Sequence, residues 1–235
     1  MIDRTEFVVL LDRSGSMNTG RDDHQGGLRS FIRDQRRLVG DTRLTLVMFD
    51  DHDPCEIVLD DAPLHTVEEE KIELIPRGCT PLLDAVGRTI SHVEERQRRF
   101  KPDMTIMMII TDGMENASKE WKKQTIKELI TQKETEGWKV LYLGANVDEF
   151  AEGGGMGVSP STSMGYAATP QGIAATYTSM SSGVACARES FQMSTGKGMS
   201  AGISATNALS SIEFTDEQRE WSKTGMSPTA DEEEE

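Results

Sequence analysis

The chain has 235 residues, of which 36% are hydrophobic and 6% aromatic, and its formal net charge is −15. This length suits one well-buried α/β domain with an appendage and is short for two full domains. The negative charge argues against nucleic acid or an anionic membrane as the main partner, because both attract clusters of Lys and Arg.

The first part of the chain alternates predicted strands and helices. Glu6–Leu11 is a continuous apolar run of strand length, which is typical of a central strand covered on both faces. A helix is predicted near residues 22–39, where apolar residues recur at helical spacing. Strands are predicted at residues 43–50 and 55–59, and the polar turn before Cys55 favours an antiparallel hairpin between them.

The alternation continues along the chain. Thr80 is predicted as the N-cap and Pro81 as the first position of a helix of about 20 residues. Met104–Ile110 is a second fully apolar strand, and Lys119–Glu136 is an amphipathic helix that ends at Gly137.

A further strand is predicted at Trp138–Leu143. The alternation predicts an α/β fold with a doubly wound, mostly parallel sheet, one antiparallel edge strand and flanking helices. In sheets of this kind, ligands bind outside the carboxyl ends of the strands.

The composition changes after the last of these strands. We expect residues 1–152 to form the α/β domain and residues 153–190 to form a Gly-, Ser- and Ala-rich extension that carries one helix. The three glycines at 153–155 should break any helix there. Residues 191–235 are expected to be a low-complexity, disordered tail with an acidic end. The small-residue helix and the Met-rich segment could support self-association of the chain.

Nothing in the sequence predicts secretion or a membrane span. No charged segment followed by a cleavable apolar stretch is present near the N-terminus. The longest apolar run is far shorter than the roughly 20 residues that cross a bilayer. Cys55, Cys79 and Cys186 are widely spaced, which fits reduced thiols better than a disulfide framework or a zinc site. We therefore expect a cytoplasmic protein.

Oxygen-bearing side chains follow two predicted strands and open one predicted helix. They are Asp12, Ser14 and Ser16 after the first strand, Thr80 at the helix start, and Asp112 after the second apolar strand. The carboxyl ends of parallel strands share one edge of a sheet, so these side chains should converge. Two carboxylates and three hydroxyls, with no His or Cys in the set, suit Mg²⁺, Mn²⁺ or Ca²⁺ and do not suit zinc or copper.

Each segment also has an ordinary explanation, because Asp and Ser are common in loops, Thr80 could cap a helix and Asp112-Gly113 could form a turn. Five matches in chain order favour a metal site over these explanations. The four histidines, His24, His52, His65 and His92, have no metal-ligand spacing and are expected at the surface.

The five residues and the sequences around them, FVVLLDRSGSM, GCTPLLDAVG and IMMIITDGMENAS, resemble the metal-ion-dependent adhesion site of von Willebrand factor A domains. The resemblance covers roughly residues 4–150. It implies that Asp12 and the two serines form the first cluster of ligands, that Thr80 comes from a separate loop, and that Asp112 contacts the ion through water. Residues 138–158 further resemble small stand-alone bacterial and bacteriophage A-domain proteins of unassigned role.

The resemblance implies a protein-binding module without catalytic residues. Its cation, for which we expect Mg²⁺ with Mn²⁺ or Ca²⁺ as alternatives, would capture a Glu or Asp carboxylate of a partner protein. A second hypothesis is a regulatory or adaptor subunit of an intracellular ATPase-type machine whose nucleotide site lies on another chain. A third, a metal-dependent hydrolase, needs a general base, for which Asp50 and Glu115 are the candidates.

Overall fold

A computed structural model describes residues 4–145 and 149–227. The strands in this part of the chain are β1 (Arg4–Asp12), β2 (Asp41–Phe49), β3 (Glu56–Pro63), β4 (Met104–Thr111), β5 (Trp138–Ala145) and β6 (Ser163–Tyr166). The helices are α1 (Arg21–Arg36), α2 (Leu82–Gln97), α3 (Lys123–Thr135), α4 (Glu149–Gly155), α5 (Pro170–Gly196), α6 (Ala201–Ser210) and α7 (Asp216–Thr224).

The strands form one sheet in the order β3-β2-β1-β4-β5-β6. All neighbouring pairs are parallel except β2 and β3, which form the antiparallel pair at one edge. The doubly wound, mostly parallel α/β sheet predicted from the sequence is therefore confirmed. β1 and β4 lie at the centre, which explains why both are continuous apolar runs with almost no exposed residue.

Helices cover both faces of the sheet. Phe7 and Leu11 of β1 belong to the apolar cluster that includes α1 and α5, whereas Val8 and Leu10 belong to the cluster that includes α2 and α3. This division follows from the alternation of side chains along a strand. Because both faces are closed, the loops at the strand ends are the places where a polar site can reach solvent.

The helix predicted at 119–136 begins later, at Lys123. The backbone amides of Lys119, Glu120 and Trp121 donate instead to the carboxylate of Asp84 at 2.8 to 3.0 Å. These bonds hold the segment as a loop. The Trp121 ring packs on Gly87 of α2, where an added methyl group would lie 2.3 Å from the ring.

The prediction that the glycines at 153–155 break a helix is wrong, because they form the last turn of α4. A methyl group added at Gly153 would lie 2.8 Å from Ser163 Oγ and 3.0 Å from the Tyr142 ring. Glycine therefore lets α4 approach β5 and β6 closely, which offsets its low helix propensity.

The segment after residue 152 packs on the same core as the first part of the chain. It supplies β6 to the sheet and α5 to the layer beside α1. The expectation that the chain is disordered from residue 191 onward is wrong for residues 191–227, which complete α5 and form α6 and α7. Phe191 of α5, Leu209 of α6 and Phe214 in the loop before α7 are buried there, so a few apolar residues suffice to pack this segment on the core. The acidic run at 231–235 lies outside the described residues.

The outer edge of β6 is covered by α7. Ser222 Oγ donates to Gly165 O at 2.7 Å, Ala167 N donates to Ser222 O at 3.0 Å, and Arg219 donates to Ser163 O at 3.0 Å. These contacts occupy backbone groups that a sheet edge otherwise offers to another strand.

Two other predictions concern the cysteines and the histidines. Cys55, Cys79 and Cys186 are free thiols, as predicted. His24 is only 2% exposed, so its prediction as a surface residue is wrong.

In the described part of the chain, none of the helices has both the length and the apolar character that a membrane span needs.

The contact between α1 and α5 gives a test of the packing. A methyl group at Gly27 would lie 2.3 Å from the buried Tyr177 ring, whereas one at Gly26 would meet nothing within 4 Å. Gly27→Ala should lower the free energy of unfolding by about 1–3 kcal/mol through overpacking. Gly26→Ala, the matched control in the same helix, should raise it by roughly 0.5–1 kcal/mol. Denaturant unfolding measures both, and equal effects of the two variants would contradict this packing.

Candidate metal centre

The pairing of β1 with β4 brings the two predicted acidic ligands to one place. Leu11 lies opposite Ile110 in parallel register, so Asp12 and Asp112 leave the sheet at the same edge. Asp12 closes β1, and Asp112 directly follows Thr111 at the end of β4.

Short hydrogen bonds connect four of the five predicted residues. Ser14 N donates to Asp12 Oδ1 at 2.6 Å, and the hydroxyl groups of Ser14 and Ser16 are 3.1 Å apart. Ser16 Oγ donates to Asp112 Oδ1 at 2.5 Å. The two carboxylates are thus bridged by hydroxyl groups from one loop.

Thr80 reaches the same place from a second loop. A methyl group added at Gly113 would lie 3.2 Å from Thr80 Oγ1 and 3.5 Å from Ser16 Oγ, so both hydroxyls lie against this glycine. Gly15 N donates to Gly78 O at 3.0 Å, which ties the Thr80 loop to the first loop. All five predicted residues therefore converge at the carboxyl edge of the sheet.

Thr80 is not the N-cap of α2, contrary to the prediction. The helix begins at Leu82, one residue later than expected, and has no side-chain cap from its preceding residue. Glu115 Oε2 accepts from Leu83 N at 2.9 Å, and Ser118 Oγ accepts from Asp84 N at 3.1 Å. Because these side chains cap the helix, capping no longer explains the presence of Thr80 at this position.

Thr80 is held by its backbone. Its amide donates to Asn116 Oδ1 at 2.9 Å, and Asn116 N donates back to Thr80 O at 3.1 Å. Asn116 was not among the predicted site residues, although it lies in the segment that follows Asp112.

Thr111 is the second residue that the sequence analysis missed. Its hydroxyl donates to Asp12 Oδ2 at 2.6 Å. The sequence contains a signal for this role. Thr111 is the polar residue that ends an apolar strand directly before Asp112, so its hydroxyl has to lie near the strand ends.

The electrostatics of the centre favour a cation. Asp12 is fully buried, and burial raises its pKa to about 6, although hydrogen bonds from Thr111 and Ser14 lower it and the charge of Asp112 adds to the rise. Burial also raises the pKa of Asp112, against the lowering by its bond from Ser16. The hydrogen-bond donors to these carboxylates are hydroxyls and an amide, so neither charge is balanced by them.

A hard divalent cation fits this donor set. Mg²⁺, Mn²⁺ and Ca²⁺ prefer carboxylate and hydroxyl oxygens, and positive charge here would compensate two partly buried carboxylates. Among the residues that the structure describes, no three His, Cys, Asp or Glu side chains are grouped so that they could hold a metal ion. A cation at this edge therefore depends on Ser and Thr as well as on the two aspartates.

Asp50 and Glu115, the candidate general bases, are both engaged. Asp50 is fully buried and accepts from Arg13 Nε and Arg77 Nε at 2.7 Å each. Glu115 accepts from the amides of Leu83 and Ser118 at 2.9 and 2.7 Å. These bonds give both carboxylates a structural role.

Solved structures with the same fold were identified by comparison of the coordinates. The von Willebrand factor type A protein from Catenulispora acidiphila matches with a TM-score of 0.50 and 14% identity, over 77% of this chain and 42% of that one. The chain has the von Willebrand factor A fold. Proximal thread matrix protein 1 from the mussel byssus, in a structure with a zinc-occupied MIDAS motif, matches with a TM-score of 0.52 and 15% identity, over 72% of this chain and 42% of that one.

A third protein with a similar fold is the PilB minor pilin from Streptococcus sanguinis. Its D319A mutant has a TM-score of 0.53 and 13% identity, over 79% of this chain and 62% of that one. This chain spans less than two thirds of the length of each of these proteins. Comparisons with protein-family models and with curated protein sequences give no match. The likeness therefore shows the von Willebrand factor A fold and leaves the function to be argued from the site.

The raised pKa of Asp12 makes a prediction with a definite sign. Its carboxyl titrates near 3.8 in the unfolded chain and at about 6 in the folded chain without metal. The stabilisation that comes from the raised pKa of Asp12 is therefore complete below pH 3.8 and is lost as the pH rises through about 6. In EDTA at pH 7.5, Asp12→Asn should raise the free energy of unfolding by up to about 3 kcal/mol, and this gain should vanish below pH 4.

Asp50→Asn is the matched control, because Asp50 directly follows the neighbouring strand β2 and is also inaccessible to solvent. Burial acts to raise the pKa of Asp50, but hydrogen bonds from Arg77 and two amides and the charge of Arg13 lower it overall. Asp50→Asn should therefore destabilise the chain at pH 7.5. Denaturant unfolding in EDTA at several pH values measures both variants, and destabilisation by Asp12→Asn at pH 7.5 would contradict this electrostatic account.

Proposed function

We propose that this chain is a divalent-cation-dependent protein-binding module. One observation carries the proposal: the buried carboxylate of Asp12 and the half-buried carboxylate of Asp112, at the ends of adjacent strands, meet three hydroxyl groups, without a basic side chain among their hydrogen-bond donors. The ligands that we assign are Asp12, Ser14, Ser16, Thr80 and Asp112. Asp112 would act through water, as the resemblance to metal-ion-dependent adhesion sites implies.

Mg²⁺ is the cation that we propose, with Mn²⁺ and Ca²⁺ as alternatives. The donors are hard oxygen atoms, which Mg²⁺ prefers. The mussel protein of the same fold has a zinc-occupied MIDAS motif, which supports a divalent cation at this position of the fold without choosing among metals. The three free cysteines support the further proposal of a reducing, cytoplasmic setting.

The partner that we propose is a protein with an exposed Glu or Asp. Two aspartates leave a bound divalent cation with little excess negative charge around it, so the ion can still attract a carboxylate from outside. Gly15 and Ser16 are exposed at the site, which gives such a carboxylate access. Since Asp50 and Glu115 are occupied by Arg side chains and backbone amides, we propose binding and not hydrolysis as the role of the cation.

Removal of one hydroxyl group tests the assignment. Thr80→Val keeps the shape of a side chain that is 2% exposed but takes away an oxygen ligand. It should weaken Mg²⁺ binding by about tenfold or more, measured by calorimetric titration at pH 7.5. Partner capture from an extract of the native host should fall in parallel, and EDTA should abolish capture by the unchanged protein.

Thr89→Val is the matched control. Thr89 is a fully buried threonine in α2 whose hydroxyl lies 3.7 Å from Cys55 Sγ. This variant should bind Mg²⁺ as the unchanged protein does. Equal affinity of the Thr80 and Thr89 variants for Mg²⁺ would remove Thr80 from the site, and capture that persists in EDTA would refute cation-dependent binding.

A further inference from the structure

A buried chain of polar groups leads from helix α5 to the candidate metal centre. Tyr177 of α5, His24 of α1 and Tyr166 of β6 are 3%, 2% and 4% exposed. The Tyr177 hydroxyl lies 3.4 Å from His24 Nδ1, and His24 Nε2 lies 3.3 Å from the Tyr166 hydroxyl. The Tyr166 hydroxyl donates to Thr111 O at 3.1 Å.

The direction of these hydrogen bonds is determined by the chemistry of the imidazole. Burial lowers the pKa of His24 to about 4, so the ring is neutral at pH 7 and has one donor and one acceptor nitrogen. Because Tyr166 gives its proton to Thr111 O, its oxygen accepts from the Nε2–H group of His24. Nδ1 is then the acceptor, and the Tyr177 hydroxyl donates to it.

Thr111 connects these hydrogen-bonded side chains to both acidic residues of the centre. Its carbonyl belongs to the peptide bond that leads into Asp112. Its hydroxyl donates to Asp12 Oδ2 at 2.6 Å and accepts from Gly113 N at 3.2 Å. A displacement of Thr111 would therefore shift the carboxylates of Asp12 and Asp112 relative to each other.

Small residues at the end of β5 make room for the Tyr166 side chain. Tyr166 lies opposite Ala145 in the sheet, and Gly144 lies opposite Thr111. The Tyr166 side chain therefore extends past β5 to reach the end of β4, two strands away. The hydrogen bond from the Tyr166 hydroxyl to Thr111 O therefore holds the end of β4 from the edge strand β6.

We propose that Tyr166, oriented by His24, is a positioning residue for the metal centre. This inference rests on the proposed cation site. In it, the Tyr166 hydroxyl fixes the Thr111–Asp112 peptide, and thereby holds the two aspartates at the separation that one cation needs. Tyr166 itself does not contact the cation.

Tyr166→Phe tests the proposal, because it removes one hydroxyl and keeps the ring in the core. Tyr142→Phe is the matched control: Tyr142 is fully buried in the neighbouring strand β5, but its side chain belongs to the apolar cluster on the other face of the sheet. Mn²⁺ alone is the probe, titrated by calorimetry at pH 7.5. Thermal unfolding in EDTA measures the stability of each variant without metal.

Tyr166→Phe should weaken Mn²⁺ binding by about tenfold, as expected for loss of a partner that orients a ligand, whereas Tyr142→Phe should leave the affinity unchanged. A merely structural role of Tyr166 would lower the unfolding temperature in EDTA without this difference in affinity. Tyr177→Phe, which leaves Tyr166 intact, should give a smaller loss of affinity and provides a second test if Tyr166→Phe does not fold.

The outcomes separate this inference from the proposed function. If the unchanged protein binds Mn²⁺ and both Tyr166→Phe and Tyr177→Phe bind it equally well, the positioning role is refuted and the cation site stands. If the unchanged protein does not bind Mn²⁺, the proposed function is refuted together with the inference.

Discussion

Parallel pairing of β1 and β4 sets Leu11 opposite Ile110, so Asp12 at the end of β1 and Asp112 directly after β4 lie at the same place on the sheet edge. Asp12 is fully buried there, and its pKa is raised to about 6 because water is excluded and a second carboxylate is near. A buried charge of this kind is unfavourable unless another charge compensates it. The surrounding hydroxyls and the loop that contains Thr80 lie around these carboxylates, and the proposed cation would compensate their charge.

The contrast between two buried aspartates identifies which carboxylate is available for a ligand. Asp50 directly follows β2, the strand beside β1, and accepts from Arg13, Arg77 and two backbone amides, which together lower its pKa against the effect of burial. The hydrogen-bond donors to Asp12 are instead the hydroxyl groups of Thr111 and Ser14 and the Ser14 amide, and none of them is charged. Both side chains are inaccessible to solvent, and the charge of their partners distinguishes them. An acidic group that the fold buries without a cationic partner is a candidate for binding a cation from outside.

The sequence was sufficient for five of the six described strands and for the edge at which the five candidate residues converge, because strands buried on both faces are apolar runs and their carboxyl ends share one edge. The short edge strand β6, with four residues, was not predicted. Local patterns failed where a distant contact decides the structure. The glycines at 153–155 form a helix because Gly153 must approach β5 and β6 closely. Trp121 stays outside α3 because Asp84, far away in sequence, accepts from its amide. His24 is buried by two tyrosines that lie more than a hundred residues later.

Anomalous diffraction from a crystal grown with Mn²⁺ locates the cation without assuming its ligands. We expect a single strong Mn²⁺ peak at the carboxyl edge of the sheet, within about 2.0–2.6 Å of oxygen atoms from Asp12, Ser14, Ser16 and Thr80, with a water molecule between the ion and Asp112. No Mn²⁺ peak at this edge, or a peak bound by other residues, would contradict it.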